Sequence, residues 1–166
     1  MRMKNKSQEH LYNHKRLWFT AIGVLLIDQL TKIWTQFTIP LFHAWEIIPS
    51  FLYWAHAQNS GAAWGIFKNS SYWLGILAIL VLLGLFLCRH HLQLDRKGSQ
   101  YAWGLMGGGI VGNMIDRFTY GHVVDFIDCY IGSYHWPTFN LADAAITIGT
   151  MSYFLCMQNN PTPIDE

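Results

Sequence analysis

Leu74-Gly75-Ile76-Leu77-Ala78-Ile79-Leu80-Val81-Leu82-Leu83-Gly84-Leu85-Phe86-Leu87-Cys88 contains no polar side chain. With Tyr72 and Trp73 in front of it, the run approaches the roughly 20 residues that a helix needs to cross a bilayer. The rest of the chain agrees with that reading. A soluble domain carries about 25% charged residues, whereas this 166-residue chain carries 13% and is 52% apolar. The shortage of charge decides more than the apolar excess does. The net charge is +1 and no basic stripe alternates with aromatics, which sets nucleic-acid binding aside.

Working outward, three more segments are long enough to span. The spans are expected at about 17–37, 72–88, 101–118 and 139–157. The expected fold is therefore an all-α membrane protein of four transmembrane helices in a single domain, 1–166. A small extracytoplasmic β-element is expected over about 38–71. The first segment follows Arg2, Lys4, Lys6, Lys15 and Arg16, as a signal peptide would. Its interior holds Asp28, Gln29 and Lys32, and no small-x-small cleavage site follows, so a cleaved signal is not expected.

Short-loop Lys and Arg residues set orientation. Five precede the first segment, and Arg89, Arg96 and Lys97 follow the second. Lys68 alone lies between the first and second, and none lies between Arg117 and the fourth. Both termini and the 89–100 loop are therefore expected in the cytoplasm, with 38–71 and 119–138 outside. Ile47 to Ala57 reads as a short strand or strand pair, with Trp45, Tyr53, Trp54 and Trp64 suited to the headgroup level. In the third segment, Gly104/Gly108 and Gly108/Gly112 are small-xxx-small pairs that let helix backbones approach.

Two carboxylates stand out. Asp125 lies in Val123-Val124-Asp125-Phe126-Ile127, and Asp143 in Phe139-Asn140-Leu141-Ala142-Asp143-Ala144-Ala145-Ile146. A carboxylate at mid-membrane costs roughly 2.5 to 3.5 kcal/mol, so such acids mark function. Asn140 and Asp143 share a helix face at i, i+3, which Thr147 continues. Asn113 and Arg117 share one at the outer end of the third segment, and Asp125 follows closely. Topology thus gathers Asn113, Arg117, Asp125, Asn140 and Asp143 near the outer surface. Two carboxylates held close cannot both ionise easily, so one keeps a proton. The charged one takes a proton from water and the protonated one polarises a carbonyl, as in aspartic peptide hydrolysis.

Ordinary structural roles compete at several positions. Asp116 beside Arg117 reads as a local ion pair at a helix end, and Asp128 as a solvated loop residue. Asn140 suits a helix N-cap, and Asp143 in a first turn gains from the helix dipole. Asp28, Gln29 and Lys32 read as an internally satisfied patch. Cys88, Cys129 and Cys156 form no ligand pattern and read as small buried residues. His90-His91 reads as part of a basic loop rather than a metal site. Two rival functions stand beside the peptidase: a transporter or proton-relay subunit, and a non-catalytic scaffold whose glycine-rich helix merely packs.

Five motifs occur in order: Asp28-Gln29-Leu30-Thr31-Lys32, Asn59-Ser60-Gly61-Ala62-Ala63, Gly112-Asn113-Met114-Ile115-Asp116-Arg117, Val123-Val124-Asp125-Phe126 and Phe139-Asn140-Leu141-Ala142-Asp143. Together they resemble the lipoprotein signal peptidases, the bacterial type II signal peptidases. The match runs from about Asp28 to Ile148. The resemblance implies a membrane aspartic endopeptidase with no metal or organic cofactor. Its substrate would be a prolipoprotein, cut just before a cysteine already carrying diacylglycerol. It also implies catalytic roles for Asp125 and Asp143, and supporting roles for Asp28, Asn59, Asn113, Arg117 and Asn140. Membrane lipid as a contact, globomycin as an inhibitor, a monomeric state and a place in the bacterial inner membrane come with the same expectation. Trp64 departs from the family, which often has Phe there; a larger ring would reshape the groove and leave the chemistry untouched.

Overall fold

The computed structural model describes residues 14–158. Helix α1 (Lys15–Thr38) leads into strands β1 (Ala44–Ile48) and β2 (Leu52–Asn59). Helices α2 (Ser71–Leu87) and α3 (Lys97–Tyr120) follow, then β3 (Val123–Ile131), β4 (Tyr134–His135) and α4 (Leu141–Gln158). Short 3₁₀ turns occupy Ala63–Gly65 and Arg89–His91. The architecture is mostly helical with a small antiparallel sheet. Among the described residues only α1 is both long and apolar enough to cross a membrane by length and composition, while the apolar α2 is shorter.

Helix α3 is central and packs against α1, α2 and α4. Its glycines set those contacts. A Cβ at Gly104 would lie 2.7 Å from the carbonyl oxygen of Leu17, and one at Gly108 would lie 2.5 Å from that of Ala21. One at Gly112 would lie 2.6 Å from Asp28 Oδ2. The expected small-xxx-small seam is thus the α1–α3 contact, and the matching order of partners makes these two helices parallel. Gly109 faces Ala142 and Gly98 faces Cys156, so α4 runs antiparallel to α3. Gly75 meets the ring of Phe118, so α2 is antiparallel to α3 as well.

The outward surface is inverted relative to a soluble bundle. The buried residues of α1 are Asp28, Lys32 and Thr35, all polar. Its exposed residues include Trp18, Phe19, Leu26, Leu30 and Phe37. Apolar side chains outside and charges inside are what a lipid environment demands, because the burial gradient for a hydrophobic group there is reversed or absent.

The sheet is larger than the expected strand pair. It has four strands in the order β1-β2-β3-β4, all antiparallel, and two of them come from the stretch read as an outer loop. Asp125 accordingly sits in a strand, not in a loose connection. Gly121, in the left-handed region at φ 73°, ends α3 and turns the chain straight into β3. A register shift between Trp54 and Ala57 brings Ala57 opposite Asp125 and Asn59 opposite Val123. Trp54 docks the sheet on α1: its indole N–H donates to Thr35 Oγ1 at 2.8 Å, and its ring stacks on Phe126.

Other expectations need correction. Asp128 is not a solvated loop residue; it lies on β3 and contacts His135 Nδ1 at 2.8 Å. The cysteines are not all buried, because Cys88 is exposed and Cys129 and Cys156 are half-buried. Residues 1–13 and 159–166, with Arg2, Lys4 and Lys6 of the orientation argument among them, lie outside the described residues.

Candidate active site

The site is built where β3 meets the start of α4. Phe139 pairs with Ile127 in both directions, its N–H donating at 3.0 Å and its carbonyl accepting at 2.8 Å. That bridge delivers the next residue, Asn140, to the face of β3 that carries Asp125. The Asn140 side-chain amide donates to Asp125 Oδ1 at 2.7 Å. The other carboxylate oxygen of Asp125 accepts from Asn59 Nδ2 at 3.1 Å. Asn59 ends β2, and its Oδ1 accepts from the backbone of Gly61. Sheet register and one helix entry therefore orient both oxygens of Asp125.

Asn140 also caps α4. Its Oδ1 accepts the N–H of Asp143 at 3.0 Å, and Asp143 Oδ2 accepts the N–H of Asn140 at 3.3 Å. This is a reciprocal capping box with Asn and Asp in the usual Ser/Thr and Glu positions. The cap and the contact to Asp125 coexist, because the amide end of Asn140 is free to point away from the helix. Asp143 Oδ1 accepts from Asn113 Nδ2 at 2.7 Å. Asn113 in turn accepts from Lys32 Nζ at 2.9 Å through its Oδ1.

Lys32 is the hub of a buried ion cluster. It pairs with Asp28 at 2.8 Å and with Asp116 at 3.0 Å. Asp28 Oδ1 accepts the N–H of Ala142 at 2.9 Å, so α1 contributes to the N-terminus of α4. Asp116 accepts from Gln29 Nε2 at 2.9 Å and from the N–H of Val124 at 3.1 Å, which ties the start of β3 to α3. The patch of Asp28, Gln29 and Lys32 is thus satisfied across helices and not within α1 alone. The expected Asp116–Arg117 pair is not formed: residues i and i+1 on a helix point to different faces. Arg117 instead donates to the carbonyl oxygens of Asn113 at 3.3 Å and Gly61 at 3.2 Å.

All seven expected residues enter one connected arrangement. Asp28, Asn113, Asp125, Asn140 and Asp143 are linked through hydrogen bonds and Lys32; Asn59 joins through Asp125 and Arg117 through Asn113 and Gly61. Thr147 does not join it, because its hydroxyl donates to the backbone carbonyl of Asp143 on an exposed surface. Lys32, Gln29 and Asp116 were not among the expected supports. A signal for Asp116 was present, since it stands at i, i+3 from Asn113 on one face of α3.

The two carboxylates differ in exposure. Asp125 is 1% exposed, while Asp143 is half-buried and so the one nearer to water. Burial, and then the charge of Asp143, push the carboxyl of Asp125 up to about 7; the amides of Asn59 and Asn140 act in the opposite direction. Near neutral pH such a group holds its proton about half the time. An acid that is still partly protonated near neutral pH, beside an acid that meets water, is the arrangement general acid–base chemistry requires. Among the described residues no group of three or more His, Cys, Asp or Glu is placed to hold a metal ion.

Comparisons with known proteins bear on the family of the chain. Residues 20–158 match the family model described as signal peptidase (SPase) II. A lipoprotein signal peptidase of Xylella fastidiosa (strain M12) is 39% identical over 154 residues, covering 86% of this chain and 91% of that protein. One from Staphylococcus haemolyticus (strain JCSC1435) is 37% identical over 137 residues, covering 82% and 87%. A solved structure described as a bacterial membrane enzyme superposes with a TM-score of 0.81 at 32% identity, covering 93% of this chain and 94% of that one.

Proposed function

This chain belongs to the signal peptidase II family, and we propose that Asp125 and Asp143 are the pair with which it cuts. It is a membrane protease that removes the signal peptide from prolipoproteins. The observation that carries the proposed dyad is the single residue Asn140, whose side-chain amide donates to the Asp125 carboxylate and whose backbone N–H donates to the Asp143 carboxylate.

In the proposed reaction Asp143, on the wetter side, takes a proton from water as the water oxygen attacks the scissile carbonyl carbon. Asp125 gives its proton to the carbonyl oxygen, so charge does not build up there. Collapse of the resulting gem-diol returns one hydroxyl proton to Asp125 and breaks the C–N bond, and the proton held on Asp143 goes to the departing amine. Asn59, Asn113 and Asn140 hold the carboxylates in register, and Asp28 and Arg117 support them from α1 and α3. No cofactor is required in this scheme.

The proposed membrane placement has four spans, α1 to α4, with the termini and the loop after α2 in the cytoplasm and the sheet outside. The parallel and antiparallel order of the helices supports it, as does the apolar outer surface of α1. The dyad then lies near the outer face, where water reaches it. The substrate would be a prolipoprotein with a diacylglyceryl cysteine, its signal helix entering sideways from the lipid, and globomycin would compete for the same groove. The enzyme would act as a monomer and as one domain.

The test is cleavage of a diacylglyceryl-modified prolipoprotein by the purified chain, with products read by mass spectrometry. The expected product begins at the lipidated cysteine. A proton-relay subunit is the second reading, favoured by the buried charges of Asp28, Lys32 and Asp116. Those charges stay at the Asp143 end of the bundle, since Asp28 contacts Ala142. Absence of cleavage together with proton flux into liposomes that depends on Asp143 would favour the relay.

A further inference from the structure

A cleft of about 280 Å³ lies between the first turns of α1 and α3, at the opposite end of the bundle from the acidic network. Lys15, Arg16, Phe19, Thr20 and Tyr101 line it. Neither Lys15 nor Arg16 has an ion-pair partner among the described residues. The first turns of α1 and α3 carry no acidic residue. Between Arg89 and Tyr101 the single carboxylate is Asp95, outnumbered by Arg89, Arg96 and Lys97. Two helix N-termini, each with unpaired N–H groups and a partial positive charge, point toward the same end.

We propose that this cleft binds the phosphate of an anionic membrane lipid headgroup. Lys15 and Arg16 supply the charge, and Arg16 can engage phosphate oxygens through its planar fork. The hydroxyls of Thr20 and Tyr101 supply hydrogen bonds to the ester oxygens or to a glycerol headgroup. What favours a lipid over a free anion is the wall and rim. Phe19 lines the cleft and is 77% exposed, and Trp18 beside it is 63% exposed, so the mouth opens on the apolar surface of α1. A headgroup seated there leaves its acyl chains along that surface. Basic pockets between helices at the cytoplasmic face are recurrent sites for acidic headgroups. The inference rests on the four-span reading above, which puts the first turn of α1 at a membrane surface.

The experiment uses the purified full chain in detergent micelles doped with phosphatidylglycerol or phosphatidylcholine, with retained lipid counted by native mass spectrometry. Each cation near such a surface is worth about a fivefold preference, so roughly a twenty- to thirtyfold preference for phosphatidylglycerol is expected. The Lys15→Gln/Arg16→Gln variant should lose it, while cleavage in detergent stays unchanged because neither residue contacts the acidic network. Thr20→Val/Tyr101→Phe, which keeps the charge, should weaken retention by a smaller factor and covers the case in which the charge variant fails to fold. Equal retention of the two lipids by the unaltered protein would overturn the proposal. So would a preference that both variants preserve. Binding of inorganic phosphate with no preference between the lipids would assign the cleft to a free anion and overturn the lipid source. Normal cleavage without any lipid preference would remove this site and leave the peptidase reading intact.

Discussion

Asn140 donates to Asp125 through its side-chain amide and accepts from the backbone of Asp143 through the oxygen of the same amide. One residue thereby fixes the relative position of two carboxylates that come from a strand and a helix. The amide cannot turn over without putting its oxygen against a carboxylate and its NH₂ against a backbone donor. The geometry is therefore held by hydrogen-bond chemistry as well as by packing.

If the carboxylates work as acid and base, removing either proton function should stop the reaction. Asp125→Asn and Asp143→Asn should each lower kcat on a lipidated prolipoprotein by roughly 10³-fold or more, in line with the loss of positioned acid–base groups. Asparagine keeps the size and most hydrogen bonds, so both variants should insert and fold. Turnover near that of the unaltered enzyme in either variant would remove the residue from the dyad.

Asn140→Ala should be milder in chemistry and more costly in structure. It deletes an N-cap, at about 1 kcal/mol, and leaves Asp125 and Asp143 less well oriented. Misplacement on the scale of 1 Å can cost about a hundredfold, which bounds the expected loss of kcat. A loss as deep as for the aspartates would make Asn140 a direct participant in the chemistry.

The pH dependence has a definite sign. Asp125 acts in its protonated form, and with its carboxyl pushed up to about 7 the value of kcat/KM should fall on the alkaline side through that pH. Asn59 donates to the ionised form and holds this limb down, so Asn59→Ala should move the limb to higher pH. A limb that stays in place or moves lower would contradict the assignment of the acid. The same group sets a stability slope. Between about pH 4 and 7 the unfolded chain has released this proton and the native one has not, so its contribution to stability falls as pH rises through that window and levels off above it.

The legible parts of this fold were those with local signals. The helices announce themselves as apolar runs such as Leu74 to Cys88, and Asn140 with Asp143 as an i, i+3 pair before one. The sheet did not, because β3 pairs with β2 across more than 60 residues of sequence, and Asp125 and Asp128 interrupt its apolar pattern. The partner of Asp116 is hidden from the sequence for a related reason. Its neighbour Arg117 is adjacent in the chain but points elsewhere, while its partner Lys32 lies on a parallel helix brought close by Gly108 and Gly112. A contact that depends on how closely two backbones approach cannot be read from either segment alone.

The Asp28–Lys32–Asp116 cluster makes a stability prediction. Lys32 is 2% exposed and neutralises two buried acids. Lys32→Met should cost about 3–5 kcal/mol, because it strands uncompensated charge. Unfolding in detergent should then begin about 10 °C lower or more. Adding Asp28→Asn and Asp116→Asn should recover much of the loss, since amides can keep the contacts to Ala142 and Val124 without charge. A triple variant no more stable than Lys32→Met would show that the charges are not what the lysine is there to balance.

Gly109 and Gly107 are two residues apart on α3 and should respond oppositely to alanine. A Cβ at Gly109 would overlap the carbonyl oxygen of Ala142, one residue before Asp143. Gly109→Ala should therefore push α4 outward, at about 1–3 kcal/mol for overpacking, and carry Asp143 away from Asn113. At Gly107 nothing lies within 4 Å of the new atom. There alanine should be neutral or stabilising by up to about 1 kcal/mol through helix propensity. Thermal unfolding and kcat measured on both variants separate a packing effect from a general intolerance of the helix. Equal damage at the two positions would mean that the glycines serve flexibility along α3, and not the close approach that seats Asp143.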